Sequence, residues 1–171
     1  MKLLTDWGFS AESWQGQRGE YWFLMQVLLM LGFVLLPVYR LPGWNAGLNP
    51  PVVYGIWAMV AVLDIASIIF LVKGLLDLGQ NLTPLPHPKD EGELVQSGIY
   101  GVVRHPIYTG VILIAIAWAL SQLSLSHAIA AFVLFFFLDA KARKEEAWLS
   151  QKHPDYKDYQ QRVKKFFPGI F

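Results

Sequence analysis

Cysteine is absent from this 171-residue chain, and charged residues are scarce at 16% of the sequence. A soluble globular domain usually carries about 25% charged residues. The absence of cysteine excludes a disulfide scaffold, a thiol nucleophile and any cysteine-ligated metal or iron–sulfur site. The formal net charge of +1 argues against a nucleic-acid-binding protein, because such a protein needs a broad basic surface.

Other signatures of soluble enzymes are missing as well. No set of His, Asp and Glu residues has metal-ligand spacing, no glycine-rich phosphate loop follows a predicted strand, and no nucleophile elbow is present. We therefore expect neither a metal ion nor nucleic acid as a ligand. The chain is instead 54% hydrophobic with a mean hydropathy of +0.37, which excludes a disordered chain and indicates a small integral membrane protein.

Four apolar runs predict the architecture. They are residues 21–39, 52–76, 107–123 and 126–138. A membrane-spanning helix needs about 20 residues, so the last two runs span only if the third starts from about Gly98 and the fourth continues to about Lys144. The predicted fold is an all-α integral membrane protein with about four transmembrane helices, a cytoplasmic loop and a C-terminal helical tail that closes the functional site.

The distribution of basic residues predicts the orientation. Every Lys and Arg except Arg40 falls in the N-terminal arm, the middle loop with its flanks, or the C-terminal tail, and cytoplasmic loops are enriched in these residues. Both termini are therefore expected in the cytoplasm. We expect a single domain, with an interfacial arm over residues 1–20, two spans within 21–80 and the functional half over 81–171. The small size suggests a bacterial inner membrane.

A polar segment, residues 82–110, separates the second and third runs. Three alternating prolines over residues 84–88 exclude a helix there and favour an extended path. The segment ends with Arg104, His105 and Pro106 at the mouth of the third run. A proline at the first helical position costs nothing, and the free N–H groups of that helix start suit a carboxylate or a phosphate.

A second polar segment, residues 139–159, follows the fourth run and carries Lys141, Glu145 and Glu146. Both segments lie at the cytoplasmic ends of adjacent predicted helices. They can therefore face each other across one pocket.

The residues alone also fit a plainer interpretation. Arg104 and His105 could be interfacial anchors, and the two glutamates could pair with neighbouring basic residues on a solvated helix. Tyr156 and Tyr159 have nearly helical spacing, which predicts the buried side of a tail helix.

Two blocks of residues form a more specific pattern. They are Leu94-Val95, Ser97-Gly98, Tyr100, Arg104-His105-Pro106, Tyr108 and Gly110, then Glu145-Glu146, Tyr156, Tyr159 and Arg162-Val163. In order and separation these blocks resemble the isoprenylcysteine carboxyl methyltransferase family of integral membrane methyltransferases, over about residues 75–171. Phospholipid N-methyltransferases, thiol methyltransferases and sterol reductases of the same broad superfamily share parts of the pattern.

The resemblance implies S-adenosylmethionine as the cofactor, bound on the cytoplasmic side between the third and fourth spans and the tail. It implies a lipophilic small-molecule or lipidated acceptor and contact with membrane lipid. Lys141 occupies the position where the family carries an arginine near the substrate. The implied catalytic residues are Arg104, His105 and Lys141, and the implied cofactor-binding residues are Glu93, Leu94, Val95, Tyr100, His105, Pro106, Ile107, Tyr108 and Glu145.

These residue types suit methyl transfer. The reaction is an in-line displacement that needs mainly positioning, and the faces of Tyr100 and Tyr108 can hold a sulfonium cation. A carboxylate acceptor needs no base and would be oriented by Arg104 or Lys141, whereas an amine or thiol acceptor would use His105 as the base. Two alternatives stay open: an NADPH-dependent sterol-type reductase of the same superfamily, and a non-catalytic membrane protein that binds a partner through its tail.

Overall fold

The computed structural model describes residues 16–43 and 48–170, and this part of the chain is helical. A single parallel β-bridge joins Val103 and Lys164, and no β-strand occurs among the described residues. Short 3₁₀ turns cover Gly79–Asn81 and Gly98–Gly101. The helices are α1 (Glu20–Leu35), α2 (Pro50–Leu78), α3 (Pro106–Ser121), α4 (Leu125–Lys152) and α5 (Tyr156–Arg162).

Two of the described helices are long and apolar enough to cross a membrane, namely α4 and α2 together with the 3₁₀ turn that continues it. The α2 helix begins as its sequence suggests: the Asn49 side chain accepts a hydrogen bond from the Val52 N–H, and Pro50 takes the first position. The apolar helices α1 and α3 have 16 residues each, fewer than the roughly 20 that a span requires. The four-span arrangement therefore stays a prediction, as does the placement of both termini in the cytoplasm. Most of the predicted interfacial arm lies outside the described residues.

The predicted extension of the third run back to Gly98 is wrong. Gly98 has a φ of 60° and starts a separate 3₁₀ turn, and α3 begins only at Pro106. The physical reason is the proline, which disfavours helical geometry in the residue before it; His105 has φ −126° and ψ 64°. The fourth helix runs further than expected and continues past Lys144 to Lys152.

The helices form an open layer in which α3 packs against both α2 and α4, and α1 packs against α4. Close approach of α2 and α3 depends on small residues. A Cβ on Gly110 would lie 2.6 Å from Leu71 Cγ, and one on Gly74 would lie 2.8 Å from Ile107 Cγ1. At Gly110, Ser67 Oγ of α2 donates to the glycine carbonyl at 2.8 Å.

The buried core lies between α3, α4 and the C-terminal segment. Its side chains include Ile112 of α3, Leu134 and Leu138 of α4, and Phe166, which is fully buried. Because Phe166 follows α5, the tail folds back under the beginning of α3. This arrangement places the two polar segments, residues 82–110 and 139–159, at one end of the layer.

Candidate functional site

A cleft opens at the end of the layer where α3 begins and α4 ends. It encloses about 810 Å³, including space open to solvent. The two polar segments meet across this cleft, although they are separated by the whole α3–α4 hairpin. Nine of the eleven sequence-predicted site residues line it: Glu93, Leu94, Val95, Tyr100, Arg104, His105, Ile107, Tyr108 and Glu145.

The turn formed by residues 104–106, here called the RHP turn, is held by the C-terminal segment through backbone hydrogen bonds. The Arg104 N–H donates to the Lys164 carbonyl at 2.8 Å, and the His105 N–H donates to the Lys165 carbonyl at 3.1 Å. Backbone bonds of this kind fix the position of the turn more rigidly than side-chain contacts would. The tail is thus a structural part of the site wall.

Glu146 is the centre of the polar network behind the RHP turn. Its carboxylate accepts from Arg104 Nε at 2.9 Å and pairs with His105 Nε2 at 3.0 Å. Gln160 Nε2 donates to the second oxygen at 3.2 Å. The remaining Arg104 nitrogens contact Glu146 at 2.9 Å and donate to the carbonyls of Gln160 and Val163.

Glu146 was absent from the predicted site residues. The one signal that could have found it is its place beside Glu145 in the second block of the pattern. Adjacent residues on a helix point in different directions, so one glutamate reaches Arg104 and the other reaches the cleft. The side chains of Arg104 and Glu146 are each only 9% exposed, which makes this a buried ion pair.

Glu145 presents its carboxylate to the cleft, where its side chain is 28% exposed. The Tyr108 hydroxyl donates to Glu145 Oε2 at 3.0 Å. The rings of His105 and Tyr108 are parallel, with centroids 5.4 Å apart, and His105 Nδ1 lies 3.7 Å from Glu145 Oε2. The cleft wall therefore combines an accessible carboxylate, a tyrosine ring and an imidazole.

Three further tyrosines, Tyr100, Tyr156 and Tyr159, line the cleft from its other side. All three are buried, and burial raises the pKa of each hydroxyl far above its usual value, so each stays protonated. Tyr159 donates to the Tyr100 carbonyl at 2.6 Å, and Tyr100 donates to the Gly74 carbonyl at 3.3 Å. The predicted burial of Tyr156 and Tyr159 is confirmed, and both also face the cleft.

The proline-containing segment forms the roof of the cleft and is anchored to its two sides. Lys152, at the end of α4, donates to the carbonyls of Lys89 and Gly92. On the α2 side, Asn81 Oδ1 accepts from the Glu93 N–H at 2.9 Å. The backbone over residues 93–95 is thereby held against the opening.

Two predicted site residues lie outside the cleft wall. Pro106 is buried as the first residue of α3. Lys141 is 2% exposed; its ammonium donates to Gln26 Oε1 and to the Pro84 carbonyl and lies 5.4 Å from the centre of the Tyr108 ring. Lys141 therefore joins α1, α4 and the roof segment behind Tyr108.

A second, apolar groove of about 1000 Å³ runs between α3 and α4. Ile116, Phe132 and Phe135 are among its walls, and Phe167 closes the end nearest the cleft. The Phe166 ring packs edge-on against both His105 and Phe135, at 5.9 Å in each case. Phe166 thus contacts one wall residue of the polar cleft and one wall residue of the apolar groove.

Comparison with known proteins adds two findings. A stretch of 75 residues, 42% of the chain, is 35% identical to the Delta(14)-sterol reductase of Mus musculus. That match spans only 18% of the reductase. The family model of the phospholipid methyltransferases matches residues 56–155, which run from α2 to the start of α5 and include the RHP turn and both glutamates. Because this match covers more than half of the 171 residues, the chain belongs to the phospholipid methyltransferase family.

Proposed function

We propose that this membrane protein transfers a methyl group from S-adenosylmethionine to a lipophilic or membrane-embedded acceptor, as the isoprenylcysteine carboxyl methyltransferase-like resemblance suggests. The observation that carries the proposal is the convergence of His105, Tyr108 and Glu145 on one cleft. Membership of a methyltransferase family supports this reaction class, and the apolar helices favour a membrane location.

The donor set of the cleft fits the proposed cofactor. S-adenosylmethionine carries a sulfonium and an ammonium group, and Glu145 presents a partly exposed carboxylate to the cleft. The face of a tyrosine ring carries negative electrostatic potential and therefore attracts a cation. The residues that would hold the cofactor are Glu93, Leu94, Val95, Tyr100, His105, Ile107, Tyr108 and Glu145. When bound, it supplies an electrophilic methyl group on a positively charged sulfur.

The protein's own contribution is positioning, together with proton transfer where the acceptor requires it. If His105 donates its Nε2 proton to Glu146, its Nδ1 atom is left as the proton acceptor on the cleft side. An amine or thiol acceptor would lose its proton to this atom, whereas a carboxylate acceptor needs no base. His105 is therefore the base candidate for the first two acceptor types.

Arg104 takes a different role from the one that the sequence suggested. Its nitrogen atoms are occupied by Glu146 and by the two backbone carbonyls. We infer that it braces the RHP turn and that it does not orient the acceptor. We assign Lys141 a bracing role as well, because it lies behind Tyr108 and does not reach the cleft.

The apolar groove supports a lipophilic acceptor. It lies between the two helices whose ends carry the cleft residues, and its walls are almost entirely hydrocarbon. An acceptor whose hydrocarbon chain occupied this groove would bring its polar head group towards Phe166 and His105. An enzyme equally active on a fully water-soluble acceptor would refute this part of the proposal.

A reductase is the second candidate, because the match to the mouse sterol reductase is 35% identical over 75 residues. A reductase would bind a nicotinamide cofactor where the first proposal places an adenosyl cofactor. The two proposals therefore differ in a property that can be measured directly, without knowing the acceptor.

The deciding experiment is calorimetric titration of S-adenosylmethionine, S-adenosylhomocysteine and NADPH into the detergent-purified protein. We expect heat from the two adenosyl compounds alone. Heat from NADPH alone would move the assignment to a reductase, and the absence of heat from all three in folded protein would favour a non-catalytic protein. Glu145→Gln should weaken the binding of the adenosyl compounds, and Glu91→Gln is its matched control, because Glu91 is exposed and lies outside the cleft.

A further inference from the structure

Asp64 is the middle residue of α2, a 29-residue helix. With a rise of about 1.5 Å per residue, a helix of this length exceeds the hydrocarbon thickness of about 30 Å, so Asp64 lies near the centre of the bilayer when α2 spans it. Ionisable side chains at this depth are costly, and they usually pair with another polar group or serve a function. The site described above does not use Asp64.

Asp64 is half-buried, and it has no hydrogen bond or ion pair with residues 16–43 or 48–170. Its oxygen atoms are not sealed inside the protein, because the described part of the chain holds no buried, unpartnered side-chain oxygen. Ser67, one turn further along, is fully buried and donates to Gly110. Asp64 thus lies at the edge of the α3 contact and opens outward.

The flank of α2 that carries Asp64 is exposed. This flank also carries Trp57, Ala61, Ile68 and Leu75, which lie seven, three, four and eleven residues from Asp64. Helix α3 packs on the neighbouring stripe, which contains Val60, Ser67 and Gly74. Lipid tails would cover the apolar residues of the exposed flank without cost, but they offer no hydrogen bond to a carboxyl group.

We propose that α2 is a homodimer surface in which Asp64 pairs with Asp64 of a second copy. Two copies with the same orientation place this residue at the same depth when their twofold axis is perpendicular to the membrane. The two carboxyl groups then hydrogen-bond to each other across the seam. A single polar residue at a helix–helix seam sets the register of the pair, and such bonds occur between membrane helices. This inference is independent of the proposed reaction.

The absence of cysteine makes site-specific cross-linking in proteoliposomes a direct test. Ala61→Cys places a thiol on the Asp64 flank. Gly55→Cys is the matched control, since Gly55 is exposed, has no neighbouring side chain within 4 Å and lies nine residues from Asp64, on the opposite side of the helix. We expect oxidative cross-linking of Ala61→Cys and only background for Gly55→Cys.

Two variants of Asp64 complete the test. In the Ala61→Cys background, Asp64→Leu should reduce the cross-link to background, whereas Asp64→Asn should retain it because an amide both donates and accepts. Energy transfer between donor- and acceptor-labelled copies in liposomes should follow the same order. Equal cross-linking at both positions, no effect of Asp64→Leu, or no energy transfer in the parent protein would each overturn the proposal.

Discussion

The two halves of the molecule differ in the contacts that their side chains make. In the half that forms the cleft, residues 82–170, buried polar groups saturate one another: Glu146 binds Arg104 and His105, and Lys152 binds the roof segment. In the half that contains α1 and α2, most side chains of the described residues 20–43 and 48–78 are exposed and apolar. The structure of the cleft half therefore requires particular residues at particular positions. The structure of α1 and α2 requires mainly hydrophobic side chains, with small residues where α2 contacts α3.

The largest expected effect is on cofactor binding. His105→Ala or Glu145→Ala should abolish the heat of S-adenosylmethionine binding, because each variant removes one of the polar groups on the cleft wall. The helix content measured by circular dichroism should not change. Glu91→Ala is the control, and binding retained by both cleft variants would place the cofactor elsewhere.

The next effect is on stability. Glu146→Ala leaves the buried Arg104 guanidinium without its carboxylate, and breaking a buried ion pair in this way costs about 3–5 kcal/mol. Glu146→Gln keeps an acceptor oxygen and should cost less. Chemical unfolding in detergent measures both. Equal stability of Glu146→Ala and the parent protein would contradict the central role assigned to this carboxylate.

A smaller loss is expected where α2 meets α3. Gly110→Ala puts a Cβ atom 2.6 Å from Leu71 Cγ and 3.0 Å from the Ser67 carbonyl oxygen, and overpacking of this kind costs about 1–3 kcal/mol. Gly55→Ala in α2 meets nothing within 4 Å and should stabilise the helix by about 0.5–1 kcal/mol. If the two substitutions change the free energy of unfolding in opposite directions in the same assay, glycines at the α2–α3 contact are distinguished from exposed glycines.

The smallest effect concerns Tyr159. Its hydroxyl donates to the Tyr100 carbonyl at 2.6 Å, and burial keeps its pKa high, so the bond persists at neutral and mildly alkaline pH. Tyr159→Phe should cost about 1 kcal/mol. The same substitution should weaken cofactor binding modestly through Tyr100. Unchanged stability and unchanged binding together would show that this hydrogen bond does not position the cleft wall.

The sequence predicted the helical runs from hydropathy, and it predicted the meeting of the two polar segments because both lie at the same end of adjacent helices. Hydropathy located α2 and α4, and Pro106 marked a helix start. Pro106 itself is buried as the first residue of α3, and its predicted contact with the cofactor stays a prediction. The extension to Gly98 is wrong because hydropathy does not report the non-helical conformation that Pro106 imposes on His105.

Composition and order along the chain by themselves determined the helical class, the apolar runs and the residue types available for chemistry, because hydrophobicity and backbone propensity are properties of short segments. Only the tertiary structure decided that Glu146 binds Arg104 while Glu145 faces the cleft, and that Lys141 lies behind Tyr108. Those outcomes depend on the rotation of α4 against α3 and on the tail that pairs with the RHP turn. Rotation and pairing are contacts between distant parts of the chain, and no local pattern encodes them.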